Sequence, residues 1–445
     1  MRSIQVIWIF FALAFSSLQA QQGYHLKAGE SRETIRFQFI NNLIIVPVEV
    51  NGVALSFILD TGVSTPIMFN VTGEEGLELR NAETIMVKGL GEGEPIKAVR
   101  STGNTFRLKN LMNSRQELYM LLDSDINFSP QLGIPIHGII GYDLLKNFIV
   151  EVKYNRKVLR FHDPEEYRYK NCKNCETYRL DIIGNKPFVK AEVGFGEEGN
   201  TPVYLLVDSG SSDALWLFEN SDRGIEVPEK HFDDYMGRGL SGEVYGKRSR
   251  IDRFQIGNFE FEDAKVAFPD STSVQHITFS GGRSGSLGSE ILKRFNLVID
   301  YPYERITLTK NSNFKDPFHY NMSGIELEHN GMRMVAETTM SNLGTVFKDR
   351  SGTNDGGVVF SMSKALSLQL KPALQIAALR EESPAKEVGL REGDVLLSVN
   401  GKETHNFNIQ EVKEMLNKKP GKTVRLEVDR NGERLTFAFT LREVL

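Results

Sequence analysis

Two stretches of the chain carry one pattern. Phe57-Ile58-Leu59-Asp60-Thr61-Gly62 and Tyr204-Leu205-Leu206-Val207-Asp208-Ser209-Gly210 each run apolar into Asp, then a small hydroxyl residue, then Gly. An apolar run of this length reads as a buried strand. A carboxylate at its end, followed by a turn that glycine permits, is an unusual thing for a core to hold. The surroundings repeat too. Gly138-Ile139-Ile140-Gly141-Tyr142-Asp143-Leu144-Leu145-Lys146-Asn147-Phe148 matches Gly285-Ser286-Leu287-Gly288-Ser289-Glu290-Ile291-Leu292-Lys293-Arg294-Phe295. Gly141 stands 81 positions after Asp60, and Gly288 stands 80 after Asp208. A hairpin-like tail follows each, Phe148 to Phe161 and Phe295 to Leu308. Self-similarity on this scale predicts two copies of one folding unit about a pseudo-two-fold axis, with Asp60 facing Asp208 across it.

These paired motifs resemble the retropepsin-like aspartic proteases, here of bacterial type with both lobes on one chain, over roughly residues 34–310. The resemblance implies a catalytic pair, Asp60 and Asp208, supported by Thr61, Gly62, Ser209, Gly210 and Ser211. It implies hydroxyls of Thr61 and Ser209 that hydrogen-bond across the two-fold. The chain departs from the family pattern at Ser286, where an apolar residue is usual, and at Val63 and Ser211, where small residues are usual. Lys88-Gly89-Leu90-Gly91-Glu92-Gly93 and Met236-Gly237-Arg238-Gly239-Leu240-Ser241-Gly242 sit where the family places substrate-covering flaps. The residues implied there are Gly89, Leu90, Gly91, Gly93, Gly237, Gly239 and Leu240. The plainer reading of each stretch is a hairpin loop.

Two like charges sharing a site do not both ionise readily, so one carboxyl keeps a proton. Such a pair can activate a water and polarise an amide carbonyl with no covalent intermediate. A hydroxyl on Ser211 can donate to Asp208, whereas Val63 cannot do so for Asp60, so Asp208 is expected to ionise first.

The C-terminal third changes character. Glu382-Ser383-Pro384-Ala385-Lys386-Glu387-Val388-Gly389-Leu390-Arg391-Glu392-Gly393-Asp394-Val395-Leu396-Leu397-Ser398-Val399-Asn400-Gly401 resembles the middle of a PDZ domain. That resemblance implies a peptide-binding loop and strand upstream, at Gly324, Ile325 and Leu327, and a longer-than-usual stretch 332–372 reads as an insertion. PDZ grooves take a peptide as an added strand.

The expected fold is therefore mainly β: two pseudo-two-fold-related retropepsin-like β-barrel lobes, then a PDZ domain of β-strands with short helices. The expected divisions are 1–20 signal peptide, 21–33 flexible N-terminus, 34–168 first lobe, 169–180 inter-lobe linker, 181–310 second lobe, 311–320 linker and 321–445 PDZ domain. Thr34 to Ile40 alternates and reads as one strand. Leu43–Val50 and Val53–Leu59 read as a hairpin closed by Asn51-Gly52.

Arg2, the apolar run Val6 to Phe15 and Ala20 before Gln21 form a secretory signal pattern. The run is short of the ~20 residues that span a bilayer, and no later run is long enough. The expected address is exported, periplasmic or secreted. Cys172 and Cys175, the chain's two cysteines, read as a small-loop disulfide or inert thiols before a redox centre. A net charge of −5 over 445 residues, with no basic cluster, gives no reason to expect nucleic acid. No G-x-S-x-G, H-E-x-x-H or P-loop is present, so no metal or cofactor is expected. The functional reading is a monomeric aspartic-type endopeptidase acting on polypeptides, with a peptide or C-terminus as PDZ ligand. The competing readings are a non-catalytic peptide-binding scaffold of the cell envelope and a structural envelope protein that assembles through its PDZ domain.

Overall fold

The computed structural model describes residues 23–71, 76–87, 95–122, 126–169, 172, 174–196, 199–239, 242–278, 282–343 and 361–445. The signal-peptide expectation for 1–20 lies outside them. The chain is mainly β and divides into two units: one holds the chain through Phe128 and Ile134–Tyr320, the other Ser129–Gly133 with Asn321–Val444. Among the described residues no helix is long and apolar enough to cross a membrane.

The first unit contains the same sheet twice. In one copy the strand order is Gln38–Ile40, Leu43–Val50, Val53–Leu59, Gly138–Ile140, Ile67–Met68, Leu111–Leu121, Ile96–Leu108 and Ala82–Val87. In the other it is Asp181–Ile183, Lys186–Gly194, Asn200–Asp208, Gly285–Gly288, Leu215–Leu217, Phe259–Pro269, Gly242–Ile256 and His231–Gly239. Each closes on itself by a further pairing, Val50 with Phe106 and Val193 with Phe254, which makes a barrel. The Asn51-Gly52 turn has φ of +48° and +94°, as a type I′ hairpin requires. That turn sets the register Ile45↔Ile58 and brings the strand out at Asp60.

A third sheet joins the lobes. Its order is Arg32–Arg36, Val158–His162, Ile149–Lys153, Phe295–Asp300, Arg305–Lys310 and Cys175–Arg179. The two tail hairpins meet at its centre, antiparallel, with Glu151 opposite Val298. This is the pairing a two-fold axis demands of equivalent strands.

Four expectations change. The run Thr34 to Ile40 is two strands in two sheets. Phe37 interrupts it, its amide donating to the Lys157 carbonyl (3.0 Å), and both halves alternate, so periodicity shows no break. The N-terminal stretch is docked: Tyr24 is buried in the core and His25 pairs with Met112. The inter-lobe linker is a structural strand, Cys175–Arg179, entered past Tyr169, whose hydroxyl donates to the buried Asp300. Cys172 and Cys175 are disulfide-bonded at its start. The second linker packs on the second lobe. Phe318 and Tyr320 are buried, and Arg294 donates to the carbonyls of Glu290, Phe314 and Asp316 with its guanidinium 3.8 Å from the Phe318 ring centroid.

In the second unit, Ile325–Leu343 and Ser361–Leu379 form one long antiparallel hairpin, continued by Val395–Val399, Thr423–Arg430 and Glu433–Thr440. What reads as an insertion at 332–372 is the outward extension of the domain's first two strands, with 344–360 outside the described residues. Met332, Met334, Leu368 and Leu370 are exposed on this extension. Ser383 caps Pro384–Glu387, and Asn408 with Glu411 makes a capping box on Ile409–Met415. Buried Asp394 accepts two bonds from Arg430 (2.6 and 2.7 Å).

Asp300 tests the inter-lobe sheet. It is fully buried and accepts from Arg305 (2.8 Å), the Tyr303 amide (3.0 Å) and Tyr169. Asp300→Ala should lower stability by roughly 2–3 kcal/mol, at or below the usual cost for a broken buried pair because Arg305 reaches solvent. Urea unfolding followed by Trp216 fluorescence would show it, and an unchanged midpoint would contradict this role for Asp300.

Candidate active site

Asp60 and Asp208 stand where the lobes meet. Each follows a strand that pairs in parallel with a glycine-rich strand, Leu59 with Ile140 and Asp208 with Gly288. The chain then turns. Gly62 and Gly210 fold their amides back onto the carboxylates, at 2.6 Å to Asp60 Oδ1 and 3.0 Å to Asp208 Oδ1. The carboxylates are close neighbours: a Cβ on Gly62 would lie 3.1 Å from Asp60 Oδ1 and 3.7 Å from Asp208 Oδ1. A Cβ on Gly210 would overlap the Asp60 carboxyl. Glycine at these two positions is therefore steric, not conformational.

Thr61 and Ser209 lock the pair from beneath. The Thr61 hydroxyl donates to the Val207 carbonyl (2.5 Å) and accepts from the Ser209 amide (3.0 Å). The Ser209 hydroxyl donates to the Leu59 carbonyl (2.8 Å) and accepts from the Thr61 amide (3.1 Å). The hydroxyls cross the two-fold as the resemblance implies, and they act on backbone rather than on carboxylate. Both residues are buried.

Burial first, then the charge of Asp208, pushes Asp60 up to about 7, against the Gly62 amide, Lys186 and Arg283. Burial also raises Asp208, and Arg283 is the strongest of the groups that oppose it, ahead of the Gly210 amide, Lys186 and the Ser211 amide. Both carboxyls are raised, so the buried pair as a whole retains a proton. The hydrogen bond expected from the Ser211 hydroxyl to Asp208 is not made; the Ser211 amide and, ahead of it, Arg283 oppose the rise of Asp208. Arg283, not Ser211, supplies the main bias.

Three neighbours of the pair escape the sequence reading. Lys186 and Arg283 act on both carboxylates and both come from the second lobe. By strand register their first-lobe equivalents are Leu43 and Ile136. Tyr301 is buried with its hydroxyl unpartnered among the described residues, and burial and then Asp60 raise its pKa. Ser286 was the available signal for Arg283: a hydroxyl in an apolar strand needs a partner, and Arg283 Nη2 donates to it (2.5 Å). Tyr301 follows its strand as Tyr154 follows the matching one, so the repeat itself pointed there.

The first glycine-rich stretch, with Gly89, Leu90, Gly91 and Gly93, lies outside the described residues, as does Leu240. Gly237 and Gly239 belong to the strand His231–Gly239, which pairs Gly239 with Gly242 and has a bulge beside Gly237. The matching hairpin of the first lobe is Ala82–Val87 with Ile96–Ser101. Gly237 and Gly239 therefore stand at the far end of a hairpin whose strands match that first-lobe pair. In the second unit the expected peptide-binding loop and strand lead into the strand Ile325–Leu343. Ile325 and Leu327 are buried in the domain core, and a Cβ on Gly324, whose φ is +74°, would overlap Ser383. Their strand is the last in its sheet order, so backbone, not these side chains, is what it can present.

Residues 46–144 and 189–291 match the aspartyl protease family, and residues 375–430 match the PDZ domain family. A stretch of 88 residues, 20% of the chain, is 34% identical to the zinc metalloprotease RasP of Shouchella clausii (strain KSM-K16). The match spans about a fifth of that protein's length, 21%. The crystal structure of the aspartic proteinase from Irpex lacteus superposes with a TM-score of 0.41 and 12% identity, over 64% of this chain and 99% of that one.

A proton held near neutrality has a thermodynamic signature. A carboxyl whose pKa is raised in the folded state binds more protons than it does unfolded, so stability falls as pH rises between the two values. For Asp60 that window runs from its ordinary value of 3.8 to about 7. Asp60→Asn should therefore raise the melting temperature at pH 8 by a few degrees and lose that advantage by pH 4. Scanning calorimetry across this range checks it, and an advantage that grows toward acid would reverse the assignment.

Proposed function

From a chain that belongs with the two-lobed, retropepsin-like aspartyl proteases and ends in a PDZ domain, we propose an exported aspartic endopeptidase acting on polypeptides. The observation that carries the reading is the carboxylate pair at the lobe junction, held by crossed hydrogen bonds from Thr61 and Ser209. A peptide-holding scaffold has no use for two carboxyls forced to share a proton.

In this reading Asp208 is ionised and Asp60 protonated. Asp208 takes a proton from a water lying between the carboxyls while the Asp60 proton bonds to the scissile carbonyl oxygen. The water oxygen attacks the carbonyl carbon and a gem-diol forms. The carbonyl oxygen now carries the Asp60 proton and Asp208 the water's; Asp208 gives its proton to the amide nitrogen, the carbon–nitrogen bond breaks, and a gem-diol hydroxyl returns its proton to Asp60, so the pair is left sharing one proton as before. The titration belongs to the pair as a whole.

The substrate lies extended between the lobes. The glycine-rich stretches with Gly89, Leu90, Gly91 and Gly93 and with Gly237, Gly239 and Leu240 serve as flaps, since glycine lets a backbone approach a peptide closely. The PDZ domain recruits a polypeptide by strand addition along the Ile325 strand. The first 20 residues direct export and are removed, leaving a monomer, because both halves of the active site are on one chain.

Cleavage of a diverse peptide library by the full chain, from acid to neutral pH, tests the reading beside Asp60→Asn and Asp208→Asn. The parent should cut, and each variant should lose at least about a thousandfold in kcat/KM with its fold intact, the scale of removing a group on which the chemical step depends. A folded parent that cuts nothing, or a variant that keeps parental activity, would overturn it.

A further inference from the structure

The second lobe buries a cation that the hydrolytic steps do not use. Arg283 is 9% exposed. Its Nε donates to the Gly285 carbonyl (3.0 Å) and its Nη2 to Ser286 Oγ (2.5 Å), and its guanidinium lies 5.2 Å from the Phe218 ring centroid. All three partners are neutral. Nη1 makes no hydrogen bond among the described residues, and no carboxylate among them stands at ion-pair distance. Two other arginines, half-buried Arg248 and buried Arg294, are satisfied differently, the first by Asp213 and Asp234 and the second by three carbonyls. A guanidinium does not shed its proton, and an unpaired buried charge is costly. What opposes that cost at Arg283 is the field of Asp208 and then Asp60.

Its position ties it to the reacting centre. Ser286, which holds the guanidinium, lies two residues before Gly288, the register partner of Asp208. That is about 7 Å along a strand. The first lobe has Ile136 and Ile139 at the matching places. One lobe keeps an apolar wall there, and the other replaces two apolar residues with an arginine and the serine that anchors it. Core stability gains nothing from that exchange. An unpaired cation in the field of the carboxylate pair fits a charged ligand.

We propose that Arg283 is a specificity-determining residue that binds a substrate carboxylate close to the scissile bond. The carboxylate is either an Asp or Glu side chain or a free C-terminal α-carboxylate, since both offer planar oxygens to the guanidinium fork. With no substrate bound, the one negative charge of the aspartate pair balances Arg283. A bound carboxylate pairs with the guanidinium directly at Nη1. This rests on the site being that of a peptidase.

The test uses matched peptides built on one cleaved sequence. Glu is compared with Gln at each position around the cut, and a free C-terminal acid with its amide at successive truncations, in the full chain and in Arg283→Met, Arg283→Lys and Ser286→Ala. One position should show an acid-over-neutral preference of about tenfold or more in kcat/KM, the scale of a charge-assisted bond. Arg283→Met should abolish the preference, Arg283→Lys keep part of it, and Ser286→Ala weaken it while leaving the charge in place. The side-chain and terminal series separate the two sources. Calorimetric binding of the same peptides to Asp60→Asn needs no turnover. Acid-over-neutral binding that vanishes on adding Arg283→Met would support the carboxylate site even if no peptide were cut, in which case only the peptidase reading falls. Cleavage with no acid preference would overturn the Arg283 proposal and leave the peptidase standing. A shifted pH profile with an unchanged Glu/Gln ratio would overturn it too, reducing Arg283 to a tuner of the pair. Should Arg283→Met fail to fold, Arg283→Lys and Ser286→Ala carry the same comparison.

Discussion

The junction of the two lobes depends on one reciprocal arrangement, in which two buried hydroxyls each satisfy a carbonyl and an amide of the opposite lobe. Four backbone groups lie at the floor of the site with no strand partner to take them. A buried amide or carbonyl left unpaired costs about 1–3 kcal/mol, so the junction holds only if Thr61 and Ser209 are both in place. The same bonds fix the turns that follow, and those turns aim the carboxylates. Gly141 and Gly288 extend the constraint, because a side chain on either would overlap the carbonyl of Asp60 or of Asp213. Beneath them the central pairing of Ile149–Lys153 with Phe295–Asp300 gives the lobes a shared sheet. The chemistry is thus placed by backbone satisfaction before any charge is considered.

Charge then breaks the symmetry that the backbone maintains. The two barrels agree strand for strand, yet Leu43 is answered by Lys186 and Ile136 by Arg283. Both cations lie on one side of the axis, and Arg283 bears more on Asp208 than on Asp60. Two carboxyls that are equivalent by fold become inequivalent by environment. Inequivalence of this kind is what a separation of acid and base roles requires.

The features legible in the sequence were those with local signatures. The doubled Asp-hydroxyl-Gly turn, the Asn51-Gly52 hairpin and the Ser383-Pro384 helix start each announce their geometry within a few residues. What was not legible arises from pairing at a distance. Nothing local marks Phe37 as the point where a strand changes sheets. The stretches 169–180 and 311–320 are polar enough to look like tethers, yet Tyr169, Phe318 and Tyr320 tie them to the first unit. Residues 332–372 exceed what a PDZ domain needs because the surplus lengthens two paired strands. Arg283 was hidden for a different reason: its sequence neighbours are glycine and serine, and only the fold brings it within the field of Asp60 and Asp208. Ser286 was visible as a departure, but a departure has no meaning until its partner is known.

Joining two lobes in one chain has a consequence that a symmetric pair of identical subunits cannot reach. In such a dimer any residue near the axis occurs twice. A guanidinium beside the carboxylates would bring a second guanidinium opposite, and two cations would hold both carboxyls ionised and leave no shared proton for the carbonyl. A single chain can place one arginine and one isoleucine at equivalent points. The pair then keeps its proton, and the site acquires a direction. An extended peptide entering a symmetric cleft can lie either way round. One cation on one wall removes that degeneracy, because only one orientation brings a carboxylate to it. On the proposed reading, the same asymmetry that bears on Asp208 also gives the cleft the means to tell the two ends of a substrate apart.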